Sequence, residues 1–326
     1  TAQVLDPRYQ AAADEALKTL VSARETLGAP SLSAAVSHKG QLVWTGTVGW
    51  ADIAARRPAD AQTRYRIGST SKPVTMTLVA RQVDAGKLEL DQPIGPWIQP
   101  SPNPAWTALT VRQLASHTAG LPDYESNRDW VGLYQSIRLQ TNFPTVRASL
   151  SVFDGNRLLY KPGTQYRYSS YDTVLLSAVL EGVTGKPYLT QLEDDLIPQT
   201  GATGLSADYA DRTVENRAVF YERSAAKGVR PWRAVDLSHR WAGGGLIATP
   251  SDLVRIGQAW LDPTFIRPET RTQFWTHQTL ADGNANPDNY ALGWRTTVAR
   301  RTFGPDTRIT SVNHAGVSKG AWSWLV

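Results

Sequence analysis

The sequence of 326 residues contains no cysteine. This absence excludes disulfide bonds, a thiolate nucleophile and zinc sites with cysteine ligands. The five histidines show no HExxH or HxH spacing that would bring two imidazoles to one metal ion, so we expect chemistry without a metal or another cofactor. Zero cysteine is compatible with an oxidising compartment, and a periplasmic or secreted location is favoured, although the chain starts at Thr1 without a readable leader.

Long apolar runs and clusters of one charge are missing as well. No stretch approaches the roughly 20 apolar residues that a membrane-spanning helix needs, so we predict no membrane span. The formal net charge is +5, but Lys and Arg are scattered among Asp and Glu without a basic run, which argues against a nucleic-acid partner. Hydrophobic residues make up 41% of the chain, which permits a sizeable core in one large domain or in two closely packed ones.

Apolar spacing predicts strands towards both ends of the chain and helices between them. Residues 6–27 carry apolar side chains at three- and four-residue spacing, which predicts an N-terminal helix. Alternation on both sides of Lys39-Gly40 predicts an antiparallel hairpin, and residues 73–86 predict a helix that is buried on one face. The segment TPSD predicts the cap of a later helix, and the last segments alternate as strands again. We therefore expect one sheet that is assembled from distant segments.

A serine and a lysine three residues apart, Ser69 and Lys72, form an SxxK motif at the predicted start of a helix. Residues i and i+3 of a helix share a face, and a buried lysine near the positive helix end can lose its proton and serve as a base for a serine hydroxyl. The helix end also offers backbone N–H groups for an oxyanion. Alone the motif is weak, because it is equally compatible with a capping serine and a solvated lysine.

Two later segments supply the further groups that acyl transfer at such a serine requires. Tyr168 precedes two serines at a predicted junction between a loop and a helix. His314-Ala315-Gly316 lies in a late predicted strand, whose glycine lets a substrate backbone come close. Enzymes of this kind combine SxxK with two further motifs in this order.

Five ordered blocks of the sequence resemble class C β-lactamase-related proteins of the penicillin-recognising, serine β-lactamase-like superfamily. Within it, the chain is most similar to the mitochondrial serine β-lactamase-like proteins and their bacterial relatives. The resemblance covers roughly residues 25–326. The blocks are YRIGSTSKPVTMTLVARQVDAGKLELDQPI, LTVRQLASHTAGLPDY, KPGTQYRYSSYDTVLLSAVLEGVTGKPY, WAGGGLIATPSDLVRIGQAWL and NHAGVSKGAWSWLV.

The resemblance implies a role for each matching residue. Ser69 is the expected nucleophile, and Lys72 is its base or proton relay. Tyr168 is expected to protonate the leaving group and to activate water, and His314 is the residue of the third motif. The backbone N–H groups of Ser69 and Val317 are the expected oxyanion hole.

Two departures from the family's pattern bear on the substrate. Class C enzymes carry an asparagine where this chain has Ser170 and a lysine where it has His314. Because that amide and that ammonium help to hold a β-lactam, we expect weak antibiotic hydrolysis. We instead expect a peptidase or esterase that cleaves an amide or ester bond in a small molecule or peptide. The predicted substrate-binding residues are Ser170, Ala315 and Gly316.

The resemblance also implies an α/β fold in which an antiparallel sheet flanked by helices carries an inserted, mainly helical subdomain. Residues 1–80 together with 236–326 would form the sheet subdomain, and residues 81–235 would form the helical one. The active site would lie in the cleft between them. Since the family continues after AWSWLV with another strand and a helix, we expect the natural chain to extend past Val326.

Two other functions stay open at this point. One is a true class C-like β-lactamase. The other is a non-enzymatic scaffold that keeps the fold and assembles into a homo-oligomer or filament, because the mitochondrial relatives form filaments.

Other sequence strings resemble active-site motifs without the required context. The segment 316–320 matches GxSxG with Ser318 as nucleophile, but that motif needs a following helix, and the sequence predicts a strand. His117 in HTAG is expected to be a structural residue of a loop or helix end. Asp123 and Tyr124 either border the cleft or close a turn. Three more tyrosines are alternatives to Tyr168, namely Tyr160, Tyr166 and Tyr171.

Overall fold

The structure, a computed structural model, describes residues 1–300, 306 and 308–326. The helices are α1 (Gln10–Leu27), α2 (Ser71–Asp84), α3 (Val111–Ala115), α4 (Trp130–Arg138), α5 (Val146–Ser149), α6 (Ser170–Thr184), α7 (Tyr188–Gln191), α8 (Ile197–Thr200), α9 (Trp241–Gly244), α10 (Pro250–Leu261) and α11 (Pro268–Phe274). The strands are β1 (Ala2–Val4), β2 (Ser31–His38), β3 (Gln41–Asp52), β4 (Arg57–Pro58), β5 (Tyr65–Arg66), β6 (Ser206–Ala207), β7 (Tyr221–Ser224), β8 (Gly228–Pro231), β9 (Leu246–Ala248), β10 (Arg295–Arg300), β11 (Arg308–Ser318) and β12 (Ala321–Leu325).

The N-terminal helix and the hairpin after it confirm the sequence-based prediction. Strands β2 and β3 pair antiparallel around Lys39 and Gly40, whose φ angles of 49° and 82° are the left-handed values that such a short turn requires. Helix α1 packs on this hairpin, and the small apolar cluster between them contains Ala13, Leu20 and Trp44. The N-terminal segment therefore forms a helix-covered sheet.

The strands from the two ends of the chain form separate antiparallel sheets in the described part of the chain. One sheet has the order β1-β3-β2 with β4 beside β3, and the other has the order β10-β11-β12. Helix α10 packs against both β2 and β12, so it holds the two sheets next to each other. A groove of about 310 Å³ lies between β2 and β12, and residues 31–35 and 322–326 form part of its lining. The prediction of one continuous sheet was therefore wrong.

The region between these sheets is mainly helical, with a few short strands that the sequence pattern did not reveal. A β7-β8 hairpin and a small β5-β9-β6 sheet interrupt the helices. Their strands are only two to four residues long, which is too short for alternation to stand out. The division at residues 80/81 and 235/236 stays a prediction. None of the helices in the described ranges is long and apolar enough to cross a bilayer.

Two buried helices position the residues of interest. The first ten residues of α2 are buried, from Ser71 to Ala80, so this part of the helix is enclosed on all sides instead of one as predicted. Residues 170–180 of α6 are buried in the same way. Helices α2, α6 and α9 pack against one another, which brings the start of α2 close to the start of α6.

Candidate active site

Ser69 lies in the turn that opens the buried helix α2. The segment Gly68–Thr70 forms one 3-10 turn that continues directly into the helix. Gly68 has a φ of 49°, and a Cβ at this position would lie 2.5 Å from the carbonyl oxygen of Val317, so the turn requires glycine. Ser69 is half-buried, whereas the side chain of Lys72 is fully buried. The helical spacing thus places the lysine on the inner side of the serine.

The ammonium position of Lys72 has three polar neighbours. Its Nζ lies 3.0 Å from Ser69 Oγ, 3.0 Å from Ser170 Oγ and 2.8 Å from the carbonyl oxygen of Gly243. Burial lowers the pKa of Lys72 from 10.5 to about 7. A neutral amine has two N–H donors, which suit Ser170 and Gly243, and one lone pair, which suits the hydroxyl proton of Ser69.

Charged groups around Lys72 act on its pKa in both directions. Burial has the largest effect and disfavours the ammonium. The carboxylate of Asp123 favours the ammonium, and the guanidinium groups of Arg295 and Arg240 oppose it. Because burial prevails, Lys72 can exchange a proton near neutral pH.

Tyr168 lies beside the same pair. Lys72 Nζ is 4.6 Å from the centre of the Tyr168 ring, and the side chain of Ser69 is one of the neighbours that act on the pKa of the phenol. Burial raises the pKa of Tyr168 above its usual value of 10, so the phenol keeps its proton at neutral pH. The arrangement gives a protonated hydroxyl next to the serine.

The competing tyrosines have other partners in the described part of the chain. Tyr160 donates to a backbone carbonyl, and Tyr166 donates to Asp288 Oδ2 at 2.7 Å. Tyr171 is buried and stacks on Phe153 with the ring centres 4.3 Å apart. The geometry therefore favours Tyr168, whose role stays a prediction.

Both ring nitrogens of His314 are occupied. Nδ1 lies 2.6 Å from the carbonyl oxygen of Ala315, which only accepts, so Nδ1 carries the proton. Nε2 is then an acceptor, and it receives the hydroxyl proton of Tyr290 over 2.8 Å. Burial lowers the pKa of His314 to about 3, so the ring is neutral at physiological pH. Tyr290 was not predictable as a site residue, because nothing in the segment YALGW indicates a contact with a later strand.

Strand β11 runs closely against the turn that carries Ser69. A Cβ on Gly316 would overlap the carbonyl oxygen of Ile67, so the two backbones meet only because this residue is glycine. The backbone nitrogen of Val317 faces Gly68 on the same side. The N–H of Ser69 donates to no backbone carbonyl among the described residues. The backbone nitrogen of Val317 therefore lies beside the turn that carries Ser69, and the assignment of both N–H groups to an oxyanion hole stays a prediction.

The start of α6 is tied to the cleft through Ser170. Its hydroxyl accepts a hydrogen bond from Lys72, and its N–H donates to Asp123 Oδ1 at 3.0 Å. Asp123 is half-buried and precedes a 3-10 turn, so it closes a turn, and its place at the border of a cleft stays a prediction. Since the Ser170 hydroxyl contacts the lysine, its predicted contact with substrate stays a prediction, as do those of Ala315 and Gly316.

Two further sequence candidates, Ser318 and His117, have other structural settings. Ser318 ends β11 and is followed by β12 instead of a helix, so the GxSxG match lacks its required context. His117 is buried in a loop, as expected for a structural residue, and it pairs with Asp172. In the part of the chain that the structure describes, no cluster of three or more His, Cys, Asp or Glu side chains is suited to hold a metal ion.

Comparisons with known proteins give the family and the fold. The sequence profile described as Beta-lactamase matches residues 16–326. The human protein "Serine beta-lactamase-like protein LACTB, mitochondrial" is 26% identical over 380 residues, which cover 93% of this chain and 69% of that protein. A D-aminopeptidase of Gluconobacter oxydans (strain 621H) is 26% identical over 298 residues, which cover 89% of this chain and 52% of the relative. The crystal structure of a penicillin-binding protein from Bacillus halodurans superposes with a TM-score of 0.75 at 20% identity, covering 94% of this chain and 89% of that one.

These similarities confirm the family resemblance and the predicted α/β fold with antiparallel strands. They also support the broad prediction of a serine hydrolase. Because the profile matches nearly the whole sequence, the chain belongs to the Beta-lactamase family.

Proposed function

We propose that this protein is a serine hydrolase that forms an acyl-enzyme on Ser69 and cleaves an amide or ester bond. The observation that carries the proposal is the 3.0 Å distance between Lys72 Nζ and Ser69 Oγ. Because burial lowers the lysine pKa to about 7, a large fraction of Lys72 is neutral at physiological pH. A neutral amine at this distance activates a serine hydroxyl, which is otherwise a weak nucleophile.

Acylation then proceeds with each proton accounted for. Ser69 Oγ attacks the carbonyl carbon while its proton moves to Lys72 Nζ. The backbone N–H groups of Ser69 and Val317 stabilise the oxyanion of the tetrahedral intermediate. When the bond to the leaving group breaks, the Tyr168 phenol protonates the leaving nitrogen or oxygen, and the phenolate regains a proton from the Lys72 ammonium.

Deacylation reverses these proton transfers with water in place of the leaving group. Water attacks the acyl carbonyl, and its proton goes to Lys72 Nζ, either directly or through the Tyr168 phenol, which passes its own proton to the lysine. Collapse of the second tetrahedral intermediate releases the carboxylic acid and returns a proton to Ser69 Oγ. The resting state of the three residues is restored.

The charges in the cleft favour small amides, peptides and esters over β-lactams. His314 is neutral at physiological pH, because burial lowers its pKa to about 3, so it offers no cation to a β-lactam carboxylate. Arg295, whose guanidinium faces the Tyr168 ring, is already paired with Asp288 at 2.6 Å. The similarity to a D-aminopeptidase supports an amide substrate with a D-amino acid.

A substrate panel tests this proposal. We expect p-nitroanilides of D- and L-amino acids and p-nitrophenyl esters to be cleaved with a higher kcat/KM than nitrocefin, and Ser69→Ala to abolish all turnover. Nitrocefin as the best substrate would instead indicate a class C-like β-lactamase. No turnover together with large assemblies on a sizing column would favour the scaffold.

A further inference from the structure

A buried histidine–carboxylate pair lies directly behind Tyr168, and the proposed mechanism does not use it. His117 Nδ1 is 2.7 Å from Asp172 Oδ2, and each side chain is 1% exposed. The histidine comes from the loop after α3, and the aspartate comes from the first turn of α6. The pair therefore connects two elements that meet at the nucleophile.

The backbone around Tyr168 is attached to His117 on both sides. The N–H of Arg167 donates to the His117 carbonyl oxygen at 2.9 Å. The N–H of Ser169 points at His117 Nδ1 over 3.4 Å. One residue thus anchors both neighbours of the tyrosine, and it does so with a left-handed backbone at a φ of 58°.

The imidazole also packs against the aromatic rings of the site. Its centre is 4.4 Å from the Tyr168 ring and 4.6 Å from the Tyr290 ring. Tyr290 in turn donates its hydroxyl to His314 Nε2. Movement of the imidazole would therefore disturb the tyrosine directly and the histidine of the third motif indirectly.

Burial favours the uncharged form of both side chains in the pair. Burial lowers the pKa of His117 well below its usual value and raises the pKa of Asp172 well above its usual value. Both directions favour a protonated carboxyl that donates to an unprotonated Nδ1. The single lone pair of Nδ1 then faces the Asp172 proton at 2.7 Å, and the N–H of Ser169 lies farther away at 3.4 Å.

We propose that His117, held in place by Asp172, is a positioning residue that fixes the Tyr168 phenol for proton transfer to the leaving group. This inference rests on the proposed function of Tyr168. It assigns a mechanistic role to a histidine whose sequence context indicates only a loop residue.

The test uses the dependence of the rate on the leaving group. An amine leaves only with a proton, whereas p-nitrophenolate leaves without one, so loss of a correctly placed acid slows anilides more than nitrophenyl esters. Two substrates with the same acyl group, a p-nitroanilide and a p-nitrophenyl ester, are compared in the full-length protein. Tyr168→Phe gives the reference pattern for loss of the acid itself.

The main variant is His117→Asn, because asparagine tolerates a positive φ better than most residues. We expect kcat/KM for the anilide, which reports acylation, to fall about 100-fold, and kcat/KM for the ester to fall much less. Asp172→Asn, whose amide N–H can still donate to Nδ1, should retain most activity, whereas Asp172→Leu should repeat the His117→Asn pattern. Equal loss on both substrates, or no loss, would overturn the proposal.

A matched control separates positioning from stability. Asp252→Asn removes another buried carboxylate, which caps α10 through Thr249. It should lower the melting temperature without changing the ratio of the anilide rate to the ester rate.

If His117→Asn does not fold, the same ratio of rates measured for Asp172→Leu decides. If the unmodified protein cleaves neither substrate, the proposed function fails, and crystal structures then decide the inference. A Tyr168 ring in an unchanged position in His117→Asn would contradict it.

Discussion

At the scale of single residues, the proposed chemistry depends on whether the buried Lys72 carries a proton. The protonated amine has no lone pair for the Ser69 proton, so activity must rise as pH increases through the lysine pKa. Burial lowers that pKa from 10.5 to about 7. We therefore expect the acid limb of the kcat/KM profile to have an apparent pKa near 7. A limb near 10 would show that Lys72 is an ordinary lysine, and a limb near 4 would point to a carboxylate as the base.

Part of this site follows from the sequence at the level of single residues. The contact between Ser69 and Lys72 is local, because helical geometry brings i and i+3 together. The second and third partners of the lysine, Ser170 and Gly243, come from distant segments, and their contacts depend on tertiary packing. The roles of Tyr168 and His314 came from family resemblance, since a lone tyrosine or histidine in a sequence indicates no particular contact.

At the scale of elements, the site depends on the close approach of β11 to the turn before α2. Gly316→Ala would drive a methyl group into the carbonyl oxygen of Ile67 and push the strand away. We expect a loss of about 1–3 kcal/mol in the free energy of unfolding. We also expect a fall of about 100-fold in kcat, because the N–H of Val317 would no longer face the oxyanion.

A second glycine provides the control for this experiment. A Cβ on Gly257 of α10 would make only an ordinary contact of 3.6 Å with Leu325 Cδ1. Since alanine favours a helix more than glycine does, Gly257→Ala should keep activity and stability. If urea denaturation and steady-state rates gave the same result for both variants, the close approach of β11 would be unimportant.

The elements themselves were predictable to different degrees. The β2-β3 hairpin followed from alternation around Lys39-Gly40, since two left-handed residues favour that turn. The burial of the first ten residues of α2 on all sides did not follow, because the polar residues Thr75 and Thr77 satisfy their hydroxyls inside the core. The separation of β2 from β12 was also not predictable, since strand pairing between distant segments leaves no local pattern.

At the scale of the whole molecule, the buried lysine should reduce stability in a pH-dependent way. Between pH 7 and 10.5 the unfolded chain holds a proton on Lys72 that the native protein lacks. The unfolding free energy of the natural sequence should therefore rise with pH relative to Lys72→Met, by about 1.4 kcal/mol per pH unit in this window. Denaturant unfolding of both proteins at several pH values measures the difference. Parallel stability profiles would mean that the native lysine stays protonated.

The overall architecture was predictable mainly because the sequence blocks occur in a family order. The profile match over residues 16–326 and the TM-score of 0.75 agree with that resemblance. The division into a sheet subdomain and a helical subdomain, and the alternative of a homo-oligomer or filament, remain predictions. Assembly depends on surface complementarity between copies, which a single chain does not display.

Covalent labelling of Ser69 is the most direct test of the proposed hydrolase. A fluorophosphonate probe should modify the natural protein once, and peptide mass spectrometry should place the adduct on Ser69. Ser69→Ala should lose the label, while Ser318→Ala should keep it. An adduct that persists in Ser69→Ala, above all one on Ser318, would contradict the assignment of the nucleophile.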